Sequence, residues 1–323
     1  MADQVVGGTT KSWTVPAALK EVRLDVFARG CLPHLSRRTL EDAIREKRFS
    51  VNGKIGKKGA KLKAGDVLAF SGPDLWLAAH PVPATGLTVP IVYEDSSVLI
   101  VNKPAGMATH GFSGRETGTL ANFLTATRPE LSRVGRSRWE PGLVHRLDRE
   151  TSGLVLVAKT QAAFERLRNQ FRRRQIQKQY LALVWGKTKA AGSISYPLAH
   201  DSRDKRRMRA LVQATPRTKE QKHWQAVTRF RKLAQARGLT LLEVEMATGV
   251  THQIRVHLAA IGHPIVGDAL YGAADSEIFR LHRHFLHARS LKFYHPESGA
   301  IVSVEAELPG ELQGVLDEVQ IKL

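Results

Sequence analysis

The chain has a single cysteine, Cys31. A disulfide within the chain is therefore excluded, as is a thiolate zinc cluster, and this usage fits a reducing cytoplasm. Met1 to Lys20 lacks the charged-then-apolar layout of a secretion signal. No apolar run approaches the ~20 residues of a membrane helix, so the expectation is a cytoplasmic protein without a membrane partner. A glycine-rich nucleotide fingerprint is also missing. Acidic residues are scarce, with 30 Asp and Glu against 49 Lys and Arg and a formal charge of +19. That excess predicts a polyanionic partner, nucleic acid first; a basic protein with no specific partner is the bland alternative. The 323 residues suit one large domain plus a small one, and a hydrophobic fraction of 42% supports a real core.

Residues 1–20 are polar and aperiodic and read as a tail. The stretch 21–71 reads as a compact module. Leu24 and Phe27 sit three apart on a short helix, and Ser36 is a good N-cap for a second helix with Leu40, Ala43 and Ile44 on one face. Phe49 to Val51 runs into Asn52-Gly53, a hairpin turn signal, and Val67 to Phe70 closes as a strand after Gly65-Asp66. Charge concentrates here: Arg37, Arg38, Arg45, Lys47 and Arg48, then Lys54, Lys57, Lys58, Lys61 and Lys63. The run is either a solvated face or a phosphate-binding ridge. Arg23-Leu24-Asp25, Leu35-Ser36-Arg37, Val51-Asn52-Gly53-Lys54 and Lys63-Ala64-Gly65-Asp66 resemble the S4 RNA-binding module. The resemblance implies two packed helices and a small sheet gripping structured RNA, with Arg37, Arg38, Arg45 and Lys54 on the RNA.

Residues 72–88 are rich in proline and poor in charge and read as a linker. From residue 89 to 323 strands alternate with helices: Ile91 to Tyr93, Val98 to Asn102, Leu154 to Ala158, Tyr180 to Trp185 and Leu241 to Met246. The fold class is therefore a mixed α+β domain.

The segment from Gly142 to Val157 holds a polar loop between apolar, β-branched runs, the setting in which rigid strands position functional groups. Asp148 lies between Arg146 and Arg149, and a nearby guanidinium keeps a carboxylate ionised and able to act as nucleophile or base. A structural ion pair at a turn and a glycosidase pair with Glu150 are the competing readings of these residues.

The stretch His145-Arg146-Leu147-Asp148-Arg149-Glu150-Thr151-Ser152-Gly153 resembles the signature of RluA-family pseudouridine synthases. Further matches follow in order. They are Tyr93-Glu94-Asp95, Asn102-Lys103-Pro104-Ala105-Gly106-Met107, Lys178-Gln179-Tyr180-Leu181-Ala182, Thr248-Gly249 with His252-Gln253-Ile254-Arg255-Val256-His257, and Phe285-Leu286-His287-Ala288 with His295-Pro296. The resemblance implies a catalytic domain built on a mixed, mainly antiparallel sheet flanked by helices. It makes Asp148 the catalytic aspartate, Arg255 its partner and Tyr180 an active-site tyrosine. It sets His145, Arg146, Arg149 and Thr151 on the substrate, with Arg146 filling the gap left by the extruded uridine. Val250 is a departure, since most relatives carry arginine there.

The residues themselves leave Tyr180 either as a core side chain or as a ring stacked on the target base with its hydroxyl placed for proton transfer. Thr251 is the expected cap of a helix ending at Gly262, with Arg255 off its core stripe, which leaves a surface arginine as the bland reading. His252 and His257, then His282, His284 and His287, lack the spacing of a zinc site and read as satisfied or surface histidines, so no metal is expected. Residues 161–174 form an amphipathic helix with Phe164, Leu167 and Phe171 inward. Arg203, Lys205, Arg206, Arg207 and Arg209 make a second basic stretch, in which Arg206 and Arg207 are candidate RNA grips.

The expected reaction is isomerisation of uridine in RNA, which needs no cofactor. Large-subunit ribosomal RNA is the first choice of substrate and transfer RNA the second, with the chain acting as a monomer. A non-catalytic RNA-binding or ribosome-assembly protein and a base-releasing hydrolase are the alternatives.

Overall fold

The computed structural model describes residues 8–213, 222–246, 248–272, 279 and 281–323. It divides into two compact units, Met1–Leu87 with His110–Pro141, and Thr88–Thr109 with Gly142–Leu323. No helix among the described residues is long and apolar enough to cross a membrane.

The first unit begins with β1 (Gly8–Thr14), β2 (Glu21–Arg23), α1 (Leu24–Cys31) and α2 (Arg37–Arg45). It continues with β3 (Phe49–Val51), β4 (Lys54–Ile55), β5 (Lys61–Lys63), β6 (Val67–Pro73) and α3 (Leu120–Thr127). Ser36 caps α2 as expected, its Oγ accepting the Thr39 N–H at 3.1 Å. Leu24 and Ala28 of α1 and Leu40, Ala43 and Ile44 of α2 share a core with Phe49, Leu68 and Phe70. Asn52 and Gly53 both adopt positive φ, the conformation a two-residue hairpin between β3 and β4 requires.

Two expectations need correction. The part of the tail that is described, from Gly8, forms β1, which pairs antiparallel with the whole of β6 and buries Val15 beside it; residues 1–7 lie outside the described residues. A polar segment can join a sheet when a partner edge supplies its hydrogen bonds. The expected linker is also partly packed. Asp74–Leu77 makes a 3₁₀ turn, and Trp76 enters the core with the Arg115 guanidinium 4.2 Å over its ring.

The second unit opens with β7 (Ile91–Glu94), β8 (Val98–Lys103), β9 (Ser152–Ala158), α4 (Gln161–Arg172), β10 (Gln177–Trp185), β11 (Ala191–Ile194) and β12 (Leu198–His200). There follow β13 (Met208–Ala210), β14 (His223–Trp224), β15 (Thr228–Ala236), β16 (Leu239–Met246), α5 (Gln253–Ala260), β17 (Leu286–Tyr294), β18 (Ile301–Glu305) and α6 (Gly310–Glu318). The large sheet runs β11-β15-β16-β10-β17-β9-β8-β7, with β18 added to the far end of β17. Its pairings are antiparallel except where β17 meets β9. It is the mixed, mainly antiparallel sheet expected. Every residue of β9 is buried, as its continuous apolar run requires.

A separate three-stranded sheet, β13-β12-β14, covers a small cluster of Leu198, Met208, Ala226 and Val256. Val250 packs against that cluster, so this position serves apolar contact here. Thr251 does not cap α5. The N-cap is His252, in the left-handed conformation at φ 56° with no side-chain cap.

The loop entering β9 is bracketed by two glycines that no other residue could replace without strain. Gly142 has φ +64°, and a Cβ there would lie 2.4 Å from the Ala158 carbonyl oxygen. Gly153 has φ +117°, and its Cβ would lie 2.3 Å from the Ala288 oxygen, where β9 and β17 meet. Gly153→Ala is expected to cost at least ~2 kcal/mol through backbone strain alone; urea denaturation checks this, and a midpoint equal to wild type would refute the close approach.

Candidate active site

Asp148 sits in the loop between Gly142 and β9. The loop's backbone is fastened at successive carbonyls. Thr109 Oγ1 donates to the Leu147 oxygen at 2.8 Å and accepts the Leu147 N–H at 3.1 Å. The fully buried Lys103 donates from Nζ to the carbonyls of Met107 (2.7 Å), Pro104 (2.9 Å) and Arg149 (3.1 Å). Arg283 donates to the Glu150 carbonyl at 3.1 Å and to Ser152 Oγ at 3.2 Å, while its Nε holds Glu311 at 2.8 Å. Lys103 matches three acceptors with the three N–H groups of an ammonium. Burial pushes its pKa down to about 7, against the pull of Glu150 and Asp148.

The loop presents Asp148 to Arg255. Arg255 Nη1 donates to Asp148 Oδ2 at 3.0 Å, while Nε and Nη2 grip Asp268 at 2.7 and 2.9 Å. The Asp268 side chain is fully buried and also accepts the N–H groups of Leu270 and Tyr271. Burial opposes the Arg255 charge, but hydrogen bonds and attraction from Asp268, and then attraction from Asp148, outweigh it and raise its pKa. Burial likewise works against the Asp268 carboxylate, and the Arg255 hydrogen bond holds its pKa below the usual value. Arg255 is thus a buried cation with two anionic partners, not the surface arginine that its helix position also allowed.

Tyr180, on β10, is buried. Burial first and the Asp148 charge second push its hydroxyl pKa up, so it remains a phenol at neutral pH. The structure therefore brings Asp148 and Arg255 into contact, with Tyr180 inside their electrostatic reach.

The expected substrate contacts divide. Arg146 and Arg149 are exposed. Arg149 reaches the Gly106 carbonyl at 3.4 Å, and the guanidinium that pairs with Asp148 is that of Arg255, not a sequence neighbour. His145 and Thr151 take internal positions instead. His145 Nε2 accepts the Leu156 N–H at 2.9 Å beside the Phe171 ring, and burial, then the Lys178 charge, pushes its pKa down to about 3. Thr151 is buried with its hydroxyl 2.7 Å from His284 Nε2. Both are held inward by these hydrogen bonds, to the Leu156 backbone and to His284.

Sequence reasoning missed Asp268, Lys103 as a loop anchor, and Arg283. An Asp in Gly267-Asp268 and an Arg between histidines carry no spacing signal, and their partners are remote in sequence. The histidines are held by protein partners: His257 between Thr228 and the Tyr196 carbonyl, His284 by Thr151, and His287 by Ser152.

Of the expected RNA contacts, Arg37 pairs with Glu41 and Arg45 with Asp42 along α2, while Arg38 and Lys54 are exposed. Arg206 pairs with Asp204, and the Arg207 guanidinium lies 5.3 Å over the Tyr271 ring.

A carboxylate hydrogen-bonded to a buried guanidinium, with a phenol within its electrostatic influence, is a group of the kind that serves nucleophilic or proton-transfer chemistry. Comparison with known proteins shows the family. Residues 97–260 match the family model described as RNA pseudouridylate synthase. An uncharacterized RNA pseudouridine synthase of Chloroflexus aurantiacus is 38% identical over 95% of this chain and 92% of its own length. Ribosomal large subunit pseudouridine synthase D of Nitrosomonas europaea is 36% identical over 95% of this chain and 87% of its own. Among solved structures, human RNA pseudouridylate synthase domain containing 1 is 28% identical and superposes with a TM-score of 0.56 over 70% of this chain and 86% of its own. The chain belongs to the RNA pseudouridylate synthase family. It is an RNA pseudouridine synthase, an isomerase.

Two predictions follow from the charges. Lys103 has a lower pKa folded (about 7) than the ~10.4 of a free lysine, so between these values the unfolded chain binds more protons. Stability should rise with pH across that window in wild type relative to Lys103→Met, as thermal melts at pH 7 and 9.5 would show; parallel pH profiles would contradict the assignment. Asp148→Asn leaves Arg255 paired with Asp268 and should cost less than ~1 kcal/mol of stability. Asp268→Asn leaves the buried cation short of charge and should cost about 3 kcal/mol; chemical denaturation of the two variants would rank them, and the reverse order would count against this hierarchy.

Proposed function

We propose that this chain converts specific uridines of large-subunit ribosomal RNA to pseudouridine, with Asp148 as the catalytic carboxylate. The observation that carries the reading is the Asp148–Arg255 contact at 3.0 Å, backed by buried Asp268. The large-subunit target is supported by relatives named for that activity over most of their length. The net charge of +19 suits a large polyanion.

The reaction breaks the N1–C1′ bond, turns the uracil, and joins C5 to C1′. Asp148 acts at the ribose, as nucleophile toward C1′ or as base toward its neighbouring C–H. Arg255 fixes the carboxylate's position through its hydrogen bond. Tyr180 meets the uracil as a phenol, offering a ring surface and a hydroxyl but no phenoxide base, and the C5 proton leaves at the end. A uridine in folded RNA must first leave its helix. Exposed Arg146, two residues from Asp148, is placed to enter the vacated position. His145, Thr151 and Arg149 serve this step indirectly, by holding the loop.

Residues 21–71 act in this proposal as an S4 RNA-binding domain. The paired helices and hairpin of the first unit support this, with Arg37, Arg38, Arg45 and Lys54 exposed on them. Residues 89–323 form the catalytic domain, in which Arg206 and Arg207 grip the RNA backbone. The chain works as a monomer in the cytoplasm.

The test is tritium release from RNA labelled at uracil C5, with unmodified ribosomal RNA and transfer RNA offered in parallel. Wild type should release tritium from the ribosomal RNA, and Asp148→Asn should be slower by ~10³-fold or more. Release from transfer RNA alone would move the substrate, and free uracil among the products would replace the isomerase reading with a hydrolase.

A further inference from the structure

His252 has a place in the site that the reaction as described does not use. It stands at the start of α5 in the left-handed backbone conformation, φ 56°, which a side chain other than glycine adopts at some cost. Its Nε2 lies 3.9 Å from Asp148 Oδ2. That is too long for a hydrogen bond, and Nε2 has no protein acceptor within bonding distance among the described residues.

The opposite ring nitrogen is fixed. His252 Nδ1 lies 2.8 Å from the Tyr271 hydroxyl, and the same hydroxyl receives the Met208 N–H at 2.8 Å. Tyr271 is itself immobilised, with the guanidiniums of Arg255 and Arg207 over its ring at 5.1 and 5.3 Å. A phenol has one proton to give. With the backbone N–H filling a lone pair, the acceptor in reach of that proton is His252 Nδ1. An imidazole that accepts at Nδ1 carries its proton on Nε2, on the side of Asp148.

The charged and titratable groups facing the ring are Asp148, Asp268, Arg255, Arg146 and Tyr271. Burial is the largest influence and holds the imidazole neutral, with the pull of Asp148 opposed by Arg255. A neutral N–H donor beside Asp148 can serve a substrate oxygen without bringing a second charge to the site.

We propose that His252 is a further substrate-contacting residue: Tyr271 holds it as the Nε2–H tautomer, and that N–H donates a hydrogen bond to the uracil carbonyl oxygen of the target uridine nearest C1′. This rests on the proposed pseudouridine synthesis at Asp148. At 3.9 Å from Asp148 Oδ2 the Nε2–H is left without a protein acceptor among the described residues, so it can meet a nucleotide oxygen that lies beside the carboxylate. Breaking the N1–C1′ bond loads negative charge onto the uracil, so a donor there acts on the chemical step more than on RNA binding.

Two measurements test this, and the first needs no RNA. Long-range ¹H–¹⁵N correlation of the free full-length protein, with His252 assigned by comparison with His252→Gln, should show the proton on Nε2. Loss of that tautomer preference in Tyr271→Phe is expected, and a proton on Nδ1 in wild type would overturn the proposal. The second is single-turnover tritium release. His252→Ala should slow turnover ~10- to 100-fold with RNA affinity within ~2-fold of wild type, and His252→Gln, which keeps an N–H near Nε2, should recover part of the rate. A wild-type rate in His252→Ala, or a glutamine variant no faster than the alanine one, would overturn it. Wild type that turns over no RNA would fail before any variant is compared, and would sink the proposed function rather than the tautomer assignment.

Discussion

The ion triad Asp268–Arg255–Asp148 is the constraint on which the rest of the site depends. A guanidinium buried to this degree is tolerable only when its N–H groups and its charge are both met. Asp268, with no solvent exposure, meets Nε and Nη2 in a bidentate grip and leaves Nη1 directed at Asp148. The division of labour follows from accessibility. Asp268 is fully enclosed and serves as counter-ion, whereas the Asp148 side chain keeps 18% of its surface open to an incoming molecule. One arginine thus has a permanent partner and a working one.

The second requirement is that the more open carboxylate, Asp148, stay in place on a loop. Loops carry polar backbone groups that need partners when buried. Here cationic side chains supply them: Lys103 from the end of β8 and Arg283 from just before β17 reach the carbonyls of Arg149 and Glu150. Two buried histidines do similar work inside the unit. His284 and His287 meet Thr151 and Ser152, and burial pushes their pKa values down to about 3 and about 4. Polar residues around Asp148 are therefore mostly scaffold, which explains why His145 and Thr151, although part of the recognisable stretch, face inward.

Much of this was legible beforehand, for definable reasons. The apolar stretches of β8, β9 and β10, such as Tyr180 to Val184, are buried on both faces, which leaves little choice of structure. The Ser36 cap and the Asn52-Gly53 turn are local chemistry, readable without tertiary context. The pairing of Asp148 with Arg255, 107 residues apart, came only from resemblance, since nothing in either neighbourhood names the other. Contacts that depend on where the chain returns were not legible. β1 needs the edge of β6, Trp76 needs Arg115, and Asp268 needs α5. The start of α5 misled because Thr251 has the right side chain, while the chain turns through a left-handed His252 instead.

The two glycines bracketing the Asp148 loop have a consequence beyond local strain. Gly142 is locked against Ala158 and Gly153 against Ala288, and between them the carbonyls of Leu147, Arg149 and Glu150 are each claimed by a separate anchor. The stretch therefore behaves as a cassette of fixed length. Its exposed side chains at 146 and 149 can be exchanged to alter what the site accepts, but adding or deleting one residue would shift every carbonyl off its anchor and carry Asp148 out of reach of Arg255. Diversification of this enzyme is confined to substitution within the loop, and changes of length must fall elsewhere in the chain.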